Sequence, residues 1–320
     1  MIDRLFDTFR DRLRARIWLI SDLQQTMPAR AHHCLKTAID DLQSLGRPIE
    51  QVWYLGDAVE GSRVDLVEQM AQMQIEMLGA LGVPIRYIMG NHDFDCQRRH
   101  PSSEPPQRVM PLYERITEAP QWRTIDPVWN FYFTEIIAGH YVIFLSDHAA
   151  ADGHWFTSHG RVHGDDSDYP HDGRAHRELA RTADETGLPI LTVGHYAFPG
   201  GSRTNPDALQ NHLLPLSARH HMHFYGHSHI GDAVYGKQQC HRKVAYIDDQ
   251  RIPQINVSSL ENQRGDQIRS VLLELYDDDT LGLFFRNHEQ RLWADAFILD
   301  PRSLHSVRSN RPNTESPSPS

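Results

Sequence analysis

The sequence predicts an α/β fold built on a mostly parallel sheet. Three short apolar segments each end in a polar residue, and amphipathic helical patterns near 31–45 and 64–81 separate them. The three segments are RIWLISD at 16–22, QVWYLGD at 51–57 and VPIRYIMGNHD at 83–93. Strands that alternate with helices in this βαβαβ order form parallel sheets with helices on their faces.

Later patterns predict a second sheet packed beside the first. A hairpin is expected at 130–147, strands at 188–195 and 221–229, and helices near 173–186 and 207–219. The remainder to about 287 is rich in strand patterns, namely VAYID, PQINVSS, IRSVLLELYDDD and TLGLFFRNH. We expect these late strands to form the second sheet.

A length of 320 residues, 39% of them hydrophobic, predicts one domain with extensions. Residues 1–15 are expected to form an amphipathic helix, and residues 16–300 the domain, with a loop insertion at 148–171 near the site. The low-complexity tail at 301–320 is expected to be disordered. The apolar stripe over residues 2–14 has three interpretations: packing on its own domain, peripheral contact with a membrane, or a contact between subunits.

The charge balance excludes two classes of partner. The chain carries 32 Lys and Arg against 42 Asp and Glu, a formal net charge of -10. General nucleic-acid binding and binding to anionic membranes both need a positive field, so neither is expected. A small anionic substrate would need a local cation, such as a metal ion.

The cysteines favour a reducing compartment. Cys34, Cys96 and Cys240 are odd in number and far apart, which argues against a disulfide framework and against a thiolate zinc site. No stretch approaches the roughly 20 apolar residues that a membrane-spanning helix needs. We therefore expect a cytoplasmic protein without a transmembrane segment.

Polar residues that can bind metal ions follow the predicted strands. They are Asp22, Gln24, Asp57, Asn91, His92, Asp93, His195, His227 and His229. Ligands of open α/β sheets collect at the carboxyl ends of the strands, so we expect these side chains to meet. Carboxylate, amide and imidazole ligands without thiolates suit divalent Mn, Fe, Zn or Co. The pattern predicts a metal centre.

Local spacing supports this interpretation. A glycine precedes four of the candidate ligands and would let the chain approach an ion with no Cβ in the way. The four are Asp57, Asn91, His195 and His227. His227 and His229 are two residues apart, so their rings share a side if the strand continues through them, and they could ligate neighbouring ions.

The ordered motifs Gly-Asp, Gly-Asn-His-Asp, Gly-His and Gly-His-x-His resemble the calcineurin-like metallophosphoesterase family. The resemblance covers residues 16 to about 229. It implies an α/β four-layer αββα sandwich, in which two central mixed sheets are flanked by helices. It also implies a two-metal site that hydrolyses a phosphate mono- or diester through a metal-activated water.

The resemblance implies a role for each site residue. One ion would be held by Asp22, Gln24, Asp57 and His229, and the other by Asp57, Asn91, His195 and His227. Asp57 would bridge the two ions. His92 resembles the family's acid or phosphate-binding histidine, and Asp93 would position it.

Two positions depart from the family pattern. Gln24 stands where the family has histidine, and Glu60 where it usually has Asp or Asn. A glutamine offers only a neutral amide oxygen, so the first site is expected to bind a harder ion more weakly or to recruit another group. We expect Mn in both sites, with Fe, Zn, Co and Mg as alternatives.

Two functions from different classes remain open on the sequence. The first is a metal-dependent phosphoesterase acting on a small phosphorylated substrate. The second is a non-catalytic binding or scaffold protein on the same fold with a degenerate first metal site, which Gln24 favours and the intact second ligand set opposes.

The His-rich loop at 148–171 fits a cover over the site, an accessory metal site or a surface insertion. A homo-oligomer is compatible with the sequence.

Overall fold

Two β-sheets face each other in the computed structural model of the chain. It describes residues 6–60, 64–93, 111–125, 132–146, 174–198, 209–229, 252–263 and 267–301, without the side chains at 64, 111 and 113. The predicted loop insertion at 148–171, the VAYID pattern and residues 302–320 of the predicted tail lie outside the described residues.

The first sheet holds seven strands. They are β1 (Leu13–Ile20), β2 (Gln51–Tyr54), β3 (Ile85–Tyr87), β4 (Trp122–Thr124), β10 (Arg269–Tyr276), β11 (Leu281–Asn287) and β12 (Leu292–Leu299). Their order across the sheet is β12-β11-β10-β1-β2-β3-β4. Strands β1 to β4 are parallel, as the βαβαβ pattern predicts, whereas β10 to β12 extend the sheet in antiparallel fashion.

The second sheet holds five strands in sequence order. They are β5 (Tyr132–Ile137), β6 (His140–Leu145), β7 (Ile190–Val193), β8 (His220–Tyr225) and β9 (Gln254–Asn256). The first two form the predicted hairpin, whose turn residues Ala138 and Gly139 have φ of 47° and 82°. Two successive residues with positive φ are typical of the tight turns that match strand twist. Strands β6 to β9 are parallel.

Helices cover the outer faces of both sheets. They are α1 (Pro28–Ser44), α2 (Val67–Gly79), α3 (Pro111–Glu118), α4 (Arg174–Thr186) and α5 (Leu209–Leu213). Trp18 of β1 belongs to one apolar cluster with Leu35 of α1, and its neighbour Leu19 belongs to another with Phe224 of the second sheet. A third cluster joins the second sheet to Leu179 of α4. The layers are therefore helix, sheet, sheet, helix, which confirms the αββα sandwich.

The predicted N-terminal helix ends earlier than expected. Residues 6–8 are helical, Arg10–Arg12 forms a 3₁₀ turn, and β1 begins at Leu13. Leu13 pairs with Tyr276 of β10, so the backbone hydrogen bonds of a long sheet outweigh the helical stripe at the end of this segment.

The described part of the N-terminal segment packs on its own domain. Phe6 is 2% exposed and stacks on Phe284 of β11 with 3.8 Å between ring centroids. Arg47 covers the ring, with its guanidinium carbon 4.0 Å from the centroid. This contact agrees with the first of the three interpretations of the apolar stripe.

The prediction that the late strands form the second sheet is wrong for two of the three late patterns that the structure describes. Strand β9, within PQINVSS, belongs to the second sheet, whereas β10 and β11 join the first sheet beside β1. Alternating apolar residues identify a strand but not its partner, and the register of β10 against β1 is set by contacts between distant parts of the chain. Among the described helices, none has the length and hydropathy needed to cross a membrane.

Candidate metal centre

Loops that follow parallel strands of both sheets meet at one edge of the sandwich. Asp22 follows β1 and Asp57 follows β2, while His195 and His227 follow β7 and β8. Backbone hydrogen bonds join the loops, for example from Asp22 N to the Gly56 carbonyl at 3.0 Å. The edge therefore brings strand ends of both sheets together.

Several of these residues lie in the left-handed backbone region. The φ angles are 55° at Asp22, 54° at Asp57, 62° at His227 and 46° at His229. A non-glycine residue in this region costs roughly 1–3 kcal/mol and persists where the surroundings enforce it, often at functional sites. Strand β8 ends at Tyr225, so the two histidines reach the site through this loop conformation and not by strand alternation.

Two of the glycines permit contacts that a side chain would block. A Cβ at Gly90 would overlap the Asp57 carboxylate, and a Cβ at Gly226 would overlap Ser21 and meet Asp22 Oδ2 at 2.7 Å. All three neighbours are buried, so they have no room to move away. These two positions agree with the expected role of the glycines in close backbone approach.

Four predicted ligands contact one another and are called the Asp57 group: Asp57, Asn91, His195 and His227. Asn91 Oδ1 lies 3.1 Å from His195 Nε2 and 3.0 Å from His227 Nδ1. His195 Nε2 lies 3.3 Å from Asp57 Oδ2. One ligand atom each from Asp57, His195 and His227 fit within 4.8 Å of one another. This spacing suits a single ion.

Hydrogen bonds fix the orientation of the Asp57 group. His195 Nδ1 donates to the Leu55 carbonyl at 2.7 Å, which leaves Nε2 facing Asp57 and Asn91. Asp57 Oδ1 accepts the His92 backbone N–H at 2.9 Å. Outer partners of this kind hold a metal-binding ring in one tautomer.

The Asp57 carboxylate and the two histidine rings of the Asp57 group shift one another's pKa values. Burial lowers the pKa of His195, but the Asp57 carboxylate outweighs burial and raises that pKa to about 9. Burial and the His195 ring lower the pKa of His227 to about 3. Burial alone would raise the pKa of Asp57, yet the His195 ring holds it well below its usual range. The group thus holds an ionised carboxylate beside a proton that a divalent ion could replace.

The other three predicted ligands form the Asp22 group: Asp22, Gln24 and His229, each at most 1% exposed. His229 Nε2 lies 3.2 Å from Gln24 Nε2 and 3.4 Å from Asp22 Oδ1. Asp22 Oδ2 accepts the His227 backbone N–H at 3.0 Å. The Gln24 nitrogen faces the ring, so binding an ion through its oxygen requires a half-turn of the amide.

One carboxylate oxygen of Asp22 shows whether the Asp22 group suits a cation. Asp22 Oδ1 is buried and accepts no hydrogen bond from the described part of the chain. Burial raises the pKa of Asp22. A buried carboxylate oxygen without a donor needs a positive partner, and a ring nitrogen and an amide within reach complete a ligand set. Both groups therefore fit divalent ions.

His92 stands beside the Asp57 group with its ring turned to Glu60. His92 Nδ1 lies 3.2 Å from Glu60 Oε1. Burial alone would lower the pKa of His92, but the Glu60 contact and the Asp57 carboxylate raise it above its ordinary value. Glu60, noted in the sequence only as a departure, is therefore the carboxylate that contacts this ring.

Asp93, to which the family resemblance gives the role of positioning His92, contacts the loops that carry the Asp57 group. Its carboxylate accepts backbone N–H groups of Asp57 at 2.8 Å, Ala58 at 2.9 Å and Gly90 at 2.7 Å, and the Tyr87 hydroxyl at 2.6 Å. Burial and the Asp57 carboxylate raise the pKa of Asp93 to about 7. Asp93 thus ties together the loops after β2 and β3.

Sequence reasoning missed Glu261. This residue follows β9, is fully buried, and places Oε1 2.9 Å from His229 Nδ1. It carries no motif and lies beyond the last histidine of the pattern, so only the fold reveals its place.

Comparison with known proteins agrees with this geometry. Residues 15–231 match the model of the calcineurin-like phosphoesterase family. The chain belongs to this family. It is a metallophosphoesterase, a hydrolase of phosphate ester bonds, and family membership implies that it binds divalent metal ions. No match was found among curated proteins.

Comparison with solved structures found the following two proteins, among others. A dimetal phosphatase from Danio rerio is similar over 89% of this chain and 98% of its own, with 13% identity and a TM-score of 0.56. The NAD nucleotidase of Haemophilus influenzae matches over 92% of this chain and 55% of its own, with 11% identity and a TM-score of 0.47. At these identities the first likeness supports the fold alone, and the second carries no argument.

Proposed function

We propose that this metallophosphoesterase hydrolyses a small phosphate ester at a centre of two divalent ions, Mn in the first instance. The observation that carries the proposal is the close approach of Asp57, His195 and His227, whose ligand atoms lie within 4.8 Å of one another at the buried edge where strand ends meet. The net charge of -10 disfavours general nucleic-acid substrates.

The two groups divide the ligands between the ions. The Asp57 group would hold one ion, and the Asp22 group would hold the other together with Asp57 as a bridge. When bound, a pair of divalent ions lowers the pKa of a water and neutralises charge on the phosphoryl oxygens. The support for the bridge is that the Asp57 carboxylate contacts His195, while the Asp57 carbonyl accepts the N–H of Leu23, which lies between Asp22 and Gln24, at 2.9 Å.

His92 is proposed as the group that protonates the leaving oxygen or binds the phosphoryl oxygens. Its ring is partly exposed, as are Asn91 and His227, so a substrate can reach it. Glu60 at 3.2 Å favours the protonated ring, the form that a general acid needs. Asp93 would act indirectly, by holding the loop that carries Asp57.

Hydrolysis of bis-p-nitrophenyl phosphate and p-nitrophenyl phosphate tests the function. The protein should be stripped with a chelator and assayed with Mn, Mg and Zn in turn. We expect turnover of at least one ester only after a metal is restored, and none in an Asp57→Ala variant that keeps its fold. A wild-type protein that binds metal and hydrolyses neither ester nor any member of a wider phosphate-ester library would favour the non-catalytic alternative.

A further inference from the structure

A buried carboxylate outside the region matched to the family lies against the Asp22 group. Glu261 is 0% exposed and belongs to the segment 258–263 that follows β9. The family match ends at residue 231, so the match gives this residue no role. Burying an ionised carboxylate costs free energy of folding, because the group gives up its hydration, so a buried glutamate needs partners inside the protein.

Backbone hydrogen bonds fix this segment to the loop that carries the Asp22 group. Leu260 N donates to the Ser21 carbonyl at 2.9 Å, and Glu261 N donates to the Asp22 carbonyl at 3.0 Å. The Gln263 side chain donates to the Gln24 carbonyl at 3.1 Å. Glu261 is therefore held in register with the ligands and not merely near them.

The carboxylate of Glu261 contacts His229 at the ring nitrogen that faces away from the other ligands. Glu261 Oε1 lies 2.9 Å from Nδ1, while Asp22 and Gln24 lie 3.4 Å and 3.2 Å from Nε2. Gln263 donates to the second carboxylate oxygen at 2.9 Å and fixes its direction. Glu261 thus stands behind the ring as seen from the proposed ion.

We propose that Glu261 is a positioning residue for the first metal site, acting through His229. A ligating Nε2 must carry no proton, and the negative charge of a carboxylate 2.9 Å from Nδ1 favours the ring proton on that nitrogen and makes Nε2 a stronger ligand for the ion. This matters most in a site where Gln24 replaces an imidazole by a neutral oxygen. The inference rests on the proposed two-ion centre and names the residue that compensates for the weaker ligand.

Titration calorimetry of the metal-free protein with Mn tests the inference. Two near-isosteric variants separate charge from bulk: Glu261→Met removes both carboxylate oxygens, whereas Glu261→Gln keeps a polar group but removes the charge. We expect Glu261→Met to bind the first ion about 10–100-fold more weakly, the range typical of a lost outer partner, with the second ion unchanged. Glu261→Gln should show a smaller but measurable loss for the first ion only.

Glu289→Gln is the matched control. Glu289 is an exposed carboxylate that accepts a hydrogen bond from Asn262 at 3.1 Å, so the variant removes the same charge beside the same segment without touching His229. It should bind both ions as the wild type does. If Glu261→Met does not fold, the affinity of Glu261→Gln for the first ion tests the inference instead.

Several results would overturn the inference: wild-type affinity for the first ion in a folded Glu261 variant, equal weakening of both ions, or a wild-type protein that binds a single ion. Failure of the proposed function would look different, because the wild type would then bind two Mn ions and hydrolyse no ester.

Discussion

The carboxamide of Gln24 offers a first ion one neutral oxygen in place of an imidazole nitrogen. Oxygen ligands favour Mn and Mg, whereas imidazole favours Zn and Fe. Gln24→His should therefore tighten the first site and shift its preference from Mn toward Zn, and Gln24→Ala should weaken it while sparing the second ion. Calorimetric titration of the three forms with Mn and with Zn measures this. Identical isotherms for wild type and Gln24→Ala would mean that the glutamine binds no ion.

The proposed role of His92 predicts a loss of activity that depends on the leaving group. His92→Ala should lower turnover by the 10²–10⁴-fold typical of a lost general acid when the leaving group is poor, and by less when it is good. The rates of wild type and His92→Ala are compared on the p-nitrophenyl ester that the wild type cleaves, which has a good leaving group, and on the corresponding phenyl ester, which has a poorer one. Metal content should stay near normal, because His92 lies outside both ligand groups. Loss of metal, or full rate on the phenyl ester, would contradict the role.

Individual residues of the site differ in how well the sequence predicts them. Asp57, His195 and His227 could be found because each follows a recognisable strand and a glycine. Glu60 could be noticed but not explained, because its contact with His92 depends on how the loop after β2 folds. Glu261 could not be found, because a buried glutamate after a short strand looks like any loop residue until the fold places it beside His229.

At the scale of elements, a buried ion pair fastens helix α1 to the first sheet. Asp41 of α1 accepts two hydrogen bonds from Arg286 of β11, both at 2.8 Å, and a third from His288 Nδ1 at 2.8 Å. His288 Nε2 lies 2.7 Å from Ser270 Oγ, which also accepts the Trp18 indole N–H. The contacts run from Ser270 to His288 to Asp41, as the serine, histidine and aspartate of a nucleophilic triad do. All three side chains are buried, so we interpret the network as structural.

Removing the charge of Asp41 should leave the buried guanidinium of Arg286 without a carboxylate partner. We expect Asp41→Asn to lower the free energy of unfolding by about 3–5 kcal/mol, the usual cost of breaking a buried pair from one side. Asp40→Asn is the control, because Asp40 is an exposed neighbour paired only with Lys36 one turn away in the described structure. Urea unfolding measures both. Equal stabilities of the two variants would show that the pair contributes little.

The same pair predicts how stability depends on pH. Burial alone would raise the pKa of Asp41, but Arg286 and His288 lower it to about 2, below its unfolded value near 4. As the pH falls, Asp41 therefore takes up a proton in the unfolded state before it does so in the folded state. The stabilisation by the ionised Asp41 carboxylate is complete well above about pH 4 and is lost as the pH falls toward 2. The stability gap between wild type and Asp41→Asn should therefore narrow between pH 5 and 2. A constant gap over this range would contradict the assignment.

For the whole molecule, local patterns predicted the elements better than their partners. The parallel strands β1 to β3 and their polar ends followed from alternation with helices, and the family resemblance supplied the four layers. The sheet to which β10 and β11 belong did not follow, because Ile17 pairs with Leu273 across most of the chain and no local pattern encodes such a contact. The site is assembled by these long-range pairings, since both sheets must close before their loops meet.

In the proposed centre one carboxylate, Asp57, joins two metal sites at the edge shared by both sheets. Elemental analysis after Mn loading and desalting measures this in wild type, Asp57→Ala and the exposed-site control Asp40→Ala, compared at equal helix content. We expect two ions per chain in the wild type and the control, and none in Asp57→Ala. Wild-type metal content in a folded Asp57→Ala variant would contradict the bridging role of Asp57.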